Sequence, residues 1–334
     1  MNAPTPAPWS EVFDGGSPET EREGFHALAV AMNQIQEKSR LAAGAAHAMR
    51  TLHAKILAGM DNAQLHVDVD LLDRFRVDYF VPGAIVAASV RFSNASSIPK
   101  PDTLPDMRGI AIKLLPDGCA PHDLLMTNYP VSHARNARQF VDFAVIATGD
   151  PATLKQRLQA HFGTAETARM LQTISQGMRR SAGLQHETFW NRGAMLWGDR
   201  PVRLILRPEE PGVAAEGGVV MTDEGLSEAL AACLSKGSVR YRLAVQPFVS
   251  EASTPIEDAA VEWTESVSTP VEVATLVIPQ QAILDQAGLA TKNAIDELVF
   301  NPWNAPAAFR PLGNINRARG EVYGSSARHW ARHG

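Results

Sequence analysis

Arginines stand close to residues that could bind a metal or carry protons in several parts of this sequence. Arg319 and Tyr323 are four residues apart, so on a helix they would share one face. A guanidinium beside a phenol favours the phenolate through charge attraction and hydrogen bonding. A phenolate is a hard, anionic ligand that suits Fe(III). The spacing leaves two interpretations open, because an amphipathic surface tyrosine gives the same pattern.

A second candidate group lies near the start of the chain. His53 follows an alanine-rich segment and has Arg50 before it and Lys55 after it. A single histidine is most often a satisfied core or surface residue, and an arginine such as Arg50 or Arg91 is usually exposed. If Arg50 and Arg91 converge, however, they could bind a doubly anionic ligand such as the two propionates of a haem.

The elements that would position these residues can be predicted from hydrophobic periodicity. Helical spacing over residues 21–58 and 137–178 predicts helices, and a further helix is expected from about Ile315 to Ala331. Alternating or β-rich stretches predict strands at 65–72, 84–93, 109–115, 200–206, 237–248 and 271–278. This spacing favours an α+β fold with an antiparallel β-barrel core and surrounding helices, rather than alternating βαβ units.

Composition excludes several functional classes. The 334 residues are 45% hydrophobic with a net charge of −5, and we expect no membrane span, secretion signal or nucleic-acid partner. Two cysteines cannot form a disulfide framework, so a reducing, cytoplasmic setting is predicted. There is no GxGxxG, Walker, HExxH or GxSxG motif. His329 and His333 are interpreted as a solvated surface pair rather than a metal site.

Six short motifs, in one order, resemble those of the catalase superfamily of haem proteins. The resemblance covers about residues 45–145 and 240–330. The matching segments are Arg50-x-x-His53-Ala54-Lys55, Arg91-Phe92-Ser93, Asp106-x-Arg108-Gly109-x-Ala111-x-Lys113, Asp123 to Pro130 (DLLMTNYP) with Arg135 and Phe140 downstream, Val299-Phe300-Asn301-Pro302, and Arg319-x-x-x-Tyr323. Each motif is weak alone, but their shared order makes the resemblance specific.

The resemblance implies a haem b with tyrosinate as the iron ligand. Tyr323 matches that ligand, and Arg319 matches the residue that supports its charge. His53 matches the distal base, and Ser93 matches the residue that orients its imidazole. The remaining matched positions are Arg50 and Arg91, which would bind propionates, and Phe140, an aromatic on the distal side.

Two departures from the family pattern concern the same site. The distal asparagine of the family aligns with Thr127, so either Thr127 replaces that donor or Asn128 serves after a one-residue shift. A hydroxyl donates one hydrogen bond but reaches less far than an amide. The last propionate arginine aligns with Trp330, while Arg328 is retained beside it.

The chain resembles the short, catalase-related branch, which includes peroxidases and allene oxide synthase. We therefore expect an N-terminal arm at 1–20 and a single haem domain at 21–334, with a helical segment at about 137–195 inserted. The expected activity is cleavage of a peroxide O–O bond. An organic or fatty-acid hydroperoxide, or peroxidase turnover of hydrogen peroxide, is favoured over true catalase activity or non-catalytic haem binding. The resemblance also suggests that the protein forms a homodimer or homotetramer.

Overall fold

The core of the molecule is a closed antiparallel β-barrel. The computed structural model describes residues 8–46, 49–209 and 222–333, with side chains described up to residue 328. The strands are β1 (Ile56–Val67), β2 (Ile85–Asn94), β3 (Arg108–Leu115), β4 (His122–Thr127), β5 (Phe189–Trp190), β6 (Met195–Trp197), β7 (Arg200–Pro208), β8 (Val239–Pro247) and β9 (Val271–Ile278). They form one sheet in the order β5-β4-β3-β2-β1-β9-β8-β7-β6. Pairing of β5 with β7 closes eight of these strands into the barrel, and β6 extends from β7.

Alternation along each strand separates the two faces of the barrel. Val90 and Phe92 of β2 point inward with Ile110 and Ile112 of β3, and all four are almost fully buried. Each large apolar side chain buried in this way contributes about 1.5–3 kcal/mol relative to exposure. The residues between them, such as Arg91, therefore project from the outer face of the barrel.

Seven α-helices lie outside the barrel in the described part of the chain. They are α1 (Pro18–Ala42), α2 (Ala137–Ala147), α3 (Leu154–Phe162), α4 (Thr164–Gly177), α5 (Gly225–Leu234), α6 (Gln286–Glu297) and α7 (Asn314–His333). Helix α1 begins where the side chain of Ser17 accepts a hydrogen bond from the Thr20 amide, with Pro18 in the first turn. A second apolar cluster, including Phe25, Val141 and Ala318, joins α1, α2 and α7. None of the helices in the described ranges is long and apolar enough to cross a membrane.

The described part of the N-terminal arm packs on the chain's own surface. Glu11 pairs with Arg310 and Arg317, and the Trp9 indole donates to the Asp199 carbonyl. Arg317 also binds Glu21 and Glu257. This network ties the arm, α1 and the first turn of α7 together.

Two predicted helices differ from the structure. The helix expected at 21–58 ends at Ala42, because Gly44 adopts a φ of 64° and β1 begins at Ile56. The strand expected at 65–72 is only the end of β1. The segment expected as helix at 137–178 is divided into α2, α3 and α4. Within the segment expected at about 137–195, the last α-helix ends at Gly177, a 3-10 turn follows at Leu184–His186, and β5 begins at Phe189.

Candidate functional site

Small residues on β3 form a flat shelf on the outer face of the barrel. Gly109 of β3 is paired directly with Ser93 of β2 and with Thr127 of β4, so these three residues occupy one face of the sheet. Arg91, Ala111 and Leu125 form the next row on that face. With Gly109 and Ala111 at its centre, this shelf can accommodate a flat group or a side chain lying across it.

His53 lies directly on this shelf. A Cβ on Gly109 would stand 2.5 Å from Cε1 and 2.6 Å from Nδ1 of His53, so only glycine leaves room for the ring. Nδ1 lies 3.0 Å from the Ser93 hydroxyl oxygen. Nε2 has no hydrogen-bond partner among the described residues. The imidazole is therefore fixed through one nitrogen, and the other remains available for chemistry.

The backbone of His53 adopts an unusual conformation. Its φ is 58°, a left-handed value that costs a non-glycine residue of order 1 kcal/mol or more. The His53 amide donates to the Ala95 carbonyl at 3.1 Å, and the His53 carbonyl accepts from Arg91 Nη2 at 2.9 Å. These bonds hold the strained residue in place, which is typical of a functional position.

Burial and positive charge keep the imidazole neutral. Burial is the main reason that the pKa of His53 falls to about 3, and the positive charges of Arg91, Arg192, Arg319 and Arg50 lower it further. At neutral pH the group is therefore a base, and it can accept a proton at Nε2.

Helix α7 brings Tyr323 to the same region. Arg319 Nη2 donates to the Tyr323 hydroxyl oxygen at 3.0 Å, and this guanidinium lies 5.1 Å from the centre of the Tyr323 ring. The predicted pairing of these residues across one helical turn is thus present. Thr51, two residues before His53, lies 3.3 Å from the Ser326 hydroxyl of α7. A cavity of about 30 Å³ separates α7 from β4 and is lined in part by Leu125 and Arg319.

Arg50 and Arg91 converge, but they meet on a protein carboxylate. Asp296, the penultimate residue of α6, accepts from Arg91 Nε at 2.9 Å and lies 3.5 Å from Arg50 Nε. Arg50 also donates to the carbonyls of Asp296 and Leu298. Two guanidinium groups thus share one carboxylate. Burial, and then the charge of Arg50, lowers the pKa of Arg91 to about 10, which leaves it charged at neutral pH.

Thr127 and Asn128 point in different directions. Thr127 shares the row of Ser93 and Gly109, and its hydroxyl donates to the Tyr129 carbonyl at 3.4 Å. The Asn128 amide group is buried elsewhere: its oxygen accepts from the Arg108 amide at 2.8 Å, and its nitrogen donates to Glu187 at 3.0 Å. Thr127 therefore lies on the His53 side of the shelf, whereas the Asn128 amide is already engaged.

The other predicted site residues lie farther from these contacts. Phe140, on α2, is partly buried, and its ring centre is 5.1 Å from that of His133. Arg328 is exposed on α7, close to Gly324. The structure does not join Arg328 to the Arg50–Arg91 pair by any described contact. The side chains of Trp330, His329 and His333 lie outside the described residues.

Sequence motifs did not identify two carboxylates that organise the site. Asp296 forms ion pairs with Arg50 and Arg91. Glu187 accepts a hydrogen bond from the Asn128 amide and forms an ion pair with Arg179. Asp296 lies more than 200 residues from Arg50 and Arg91 along the chain. Only the converging arginines hinted that an anionic partner was needed.

The chemistry of these residues fits a haem. The shelf at Gly109 and Ala111 suits a flat group, and the Tyr323–Arg319 pair offers a phenolic oxygen for iron. His53 offers a neutral imidazole, and Arg50 and Arg91 offer positive charge for carboxylates. Propionates there would have to share these arginines with Asp296. No group of three or more metal-binding side chains (His, Cys, Asp or Glu) occurs in the described ranges.

Known structures share this architecture. A fungal catalase matches with 18% identity and a TM-score of 0.65, and the match covers 84% of this chain and 59% of that one. A bacterial catalase (17% identity, TM-score 0.60) and catalase A from Saccharomyces cerevisiae (15%, 0.63) also match over 84% of this chain and 57% and 61% of theirs. No protein-family model and no curated protein matches the sequence. This chain spans about three fifths of the length of those catalases, at 57–61%, and it has the catalase-like fold.

Proposed function

We propose that this protein binds haem b through Tyr323 and cleaves the O–O bond of a hydroperoxide. The observation that carries the proposal is that two hydrogen-bonded pairs of residues lie in the same region, beside the shelf. One is the His53–Ser93 pair seated on Gly109, and the other is the Tyr323–Arg319 pair on α7. The fold shared with three catalases supports the same class of chemistry.

The chain's own residues would divide the work between two sides of the cofactor. When bound, the haem iron supplies the redox chemistry. On one side, Arg319 donates to Tyr323 and stabilises negative charge on its oxygen. On the other, the Nε2 atom of His53 accepts the proton of the hydroperoxide and returns it to the departing oxygen. Ser93 keeps the imidazole in the orientation for this transfer.

The donors beside His53 favour an organic or fatty-acid hydroperoxide, or peroxidase turnover with a reductant. Thr127 offers a single hydroxyl in the shelf row, which donates to the Tyr129 carbonyl at 3.4 Å, and the Asn128 amide is engaged by Arg108 and Glu187. The site therefore offers no free amide donor of the kind that the family pattern provides for efficient dismutation of hydrogen peroxide. True catalase activity is the second candidate, and it is favoured by the fold of the matched structures. A dimer or tetramer and a cytoplasmic setting stay predictions.

Two parallel assays test the proposal. Purified haem-loaded protein is mixed with hydrogen peroxide and, separately, with a fatty-acid hydroperoxide, while oxygen release and substrate loss are recorded. We expect loss of the fatty-acid hydroperoxide with little oxygen release from hydrogen peroxide. Vigorous oxygen release without turnover of the lipid would favour the catalase alternative. Absence of both reactions in a haem-loaded sample would refute an enzymatic function.

A further inference from the structure

Arg192 is a partly buried arginine with no acidic partner in the described part of the chain. It follows β5 by two residues, and its guanidinium makes two described contacts. Nε donates to the Tyr129 carbonyl at a long 3.4 Å, and Nη2 lies 2.9 Å from the sulfur of Met107. Both partners are neutral, so neither balances the positive charge.

Such an arrangement is costly without an anion. Burial, and then repulsion from Arg319, lowers the pKa of Arg192 to about 10, so the group is still charged at neutral pH. A partly desolvated guanidinium without a counter-charge is unfavourable, and a bound anionic group would offset that cost. Arg203, which is buried, differs because the charges of Asp258 and Glu262 favour its protonated form, and because it donates to the Val261 carbonyl at 2.8 Å and lies 4.7 Å from the centre of the Trp263 ring. Arg203 therefore has a structural role that Arg192 lacks.

The contacts of Arg192 place it on the His53 side of the shelf. Its Nε and the Thr127 hydroxyl donate to the same atom, the Tyr129 carbonyl oxygen. Thr127 pairs with Gly109, on which the His53 ring lies. After Arg91, Arg192 is the charge that most disfavours protonation of His53. Arg192 is thus a cationic donor on the His53 side of the shelf, the side from which the Asn128 amide is turned away.

We propose that Arg192 donates to the outer oxygen of the hydroperoxide and stabilises the negative charge that develops there as the O–O bond breaks. This inference rests on the proposed function. The bonding electron pair leaves with the outer oxygen, which receives the proton held by His53 and departs as water or, from an organic hydroperoxide, as an alcohol. The two electrons that this cleavage consumes would be supplied by the haem when it is bound. A guanidinium that meets this charge supplies stabilisation that the hydroxyl of Thr127 cannot match.

Fluoride binding gives a test that does not depend on turnover. The affinity of haem-loaded protein for fluoride is measured by absorbance titration in the wild type, Arg192→Gln and Arg200→Gln. Arg200 is the matched control, since its described ion pair is with the exposed Asp199. We expect Arg192→Gln to weaken fluoride binding about 10- to 100-fold, the usual value of a charged hydrogen bond. Unchanged affinity would overturn the proposal. Arg192→Lys, which keeps the charge but loses the planar fork, should give a smaller loss and serves if the glutamine variant does not fold.

Turnover then separates this inference from competing outcomes. We expect Arg192→Gln to slow the first reaction with hydroperoxide about 10²- to 10³-fold. The slowing should be equal for cumene hydroperoxide, which is uncharged, and for a fatty-acid hydroperoxide. Slowing confined to the fatty-acid substrate would mean that Arg192 binds its carboxylate, which contradicts the proposal. If Arg192→Gln weakens fluoride binding but the wild-type protein consumes no hydroperoxide, the role of Arg192 as a donor is supported and the proposed function is refuted.

Discussion

Replacing Gly109 by alanine should disable the site without unfolding the barrel. The added Cβ would lie 2.5 Å from His53 Cε1, whereas ordinary contacts begin at 3.4 Å. The imidazole must therefore retreat by 3.4 − 2.5 = 0.9 Å. Its hydrogen bond to Ser93, now 3.0 Å, cannot be kept through such a shift, because the new Cβ would also stand 3.1 Å from the Ser93 hydroxyl oxygen.

The size of the effect follows from this displacement. Misplacing a catalytic group by about 1 Å costs about 10²-fold in rate. Overpacking of this kind costs about 1–3 kcal/mol in stability, which a barrel of this size should tolerate. We therefore expect turnover of hydroperoxide to fall about 100-fold while the visible spectrum of the haem keeps its wild-type shape.

Rapid-mixing kinetics and urea unfolding measure the two quantities. Gly237→Ala is the matched control, because a Cβ there meets nothing within 4 Å. If Gly109→Ala turns over hydroperoxide at the wild-type rate, His53 is not the catalytic base or does not occupy the shelf during catalysis. A wild-type rate in Gly109→Ala would therefore contradict the assignment of His53 as a base positioned by the shelf.

Three further predictions test other parts of the structure. Ser93→Ala removes the partner of His53 Nδ1 and should slow turnover about 3- to 10-fold, whereas Ser89→Ala on the same strand face should not. Arg317→Met leaves buried carboxylates, Glu21 above all, without their cation, and urea unfolding should show a loss of about 3–5 kcal/mol; an unchanged midpoint would contradict this. Burial lowers the pKa of His122 to about 3, below 6.5 in the unfolded chain, so the unfolded state binds the extra proton. Protonation of His122 alone should therefore destabilise the protein as the pH falls below 6.5, by about 2 kcal/mol at pH 5. The pH dependence of a His122→Asn variant should be smaller than that of the wild type by this amount, and a variant that keeps the full pH dependence would contradict this source.

Regular alternation made much of the barrel predictable. The strand expected at 271–278 coincides with β9, and those at 84–93 and 109–115 lie within one residue of β2 and β3. The first half of β1 was not predicted as a strand, because register shifts between Ile56 and Ala58, and between Met60 and Ala63, break its alternation. The alanine-rich stretch before it has helical character, so the predicted helix extended into the strand. Strands β5 and β6 are too short to show a period.

The candidate site was predictable where it depends on local spacing and less so where it depends on tertiary contacts. The Arg319–Tyr323 pair follows from one helical turn, and its geometry agrees with that expectation. The choice between Thr127 and Asn128 could not be made from the sequence, because it depends on which strand face each residue occupies. Asp296 and Arg192 carried no motif. Their roles arise from contacts with residues 63 to 246 positions away.

The absorption spectrum of the haem-loaded Tyr323→Phe variant is a direct test of whether Tyr323 binds the iron. Phenylalanine keeps the ring but removes the oxygen that would bind iron and accept from Arg319. We expect wild-type protein to show the Soret band of a high-spin, tyrosinate-ligated ferric haem, and the variant to lose this spectrum or fail to retain haem. A variant that holds haem with the same spectrum as the wild type would contradict the assignment of Tyr323 as the iron ligand.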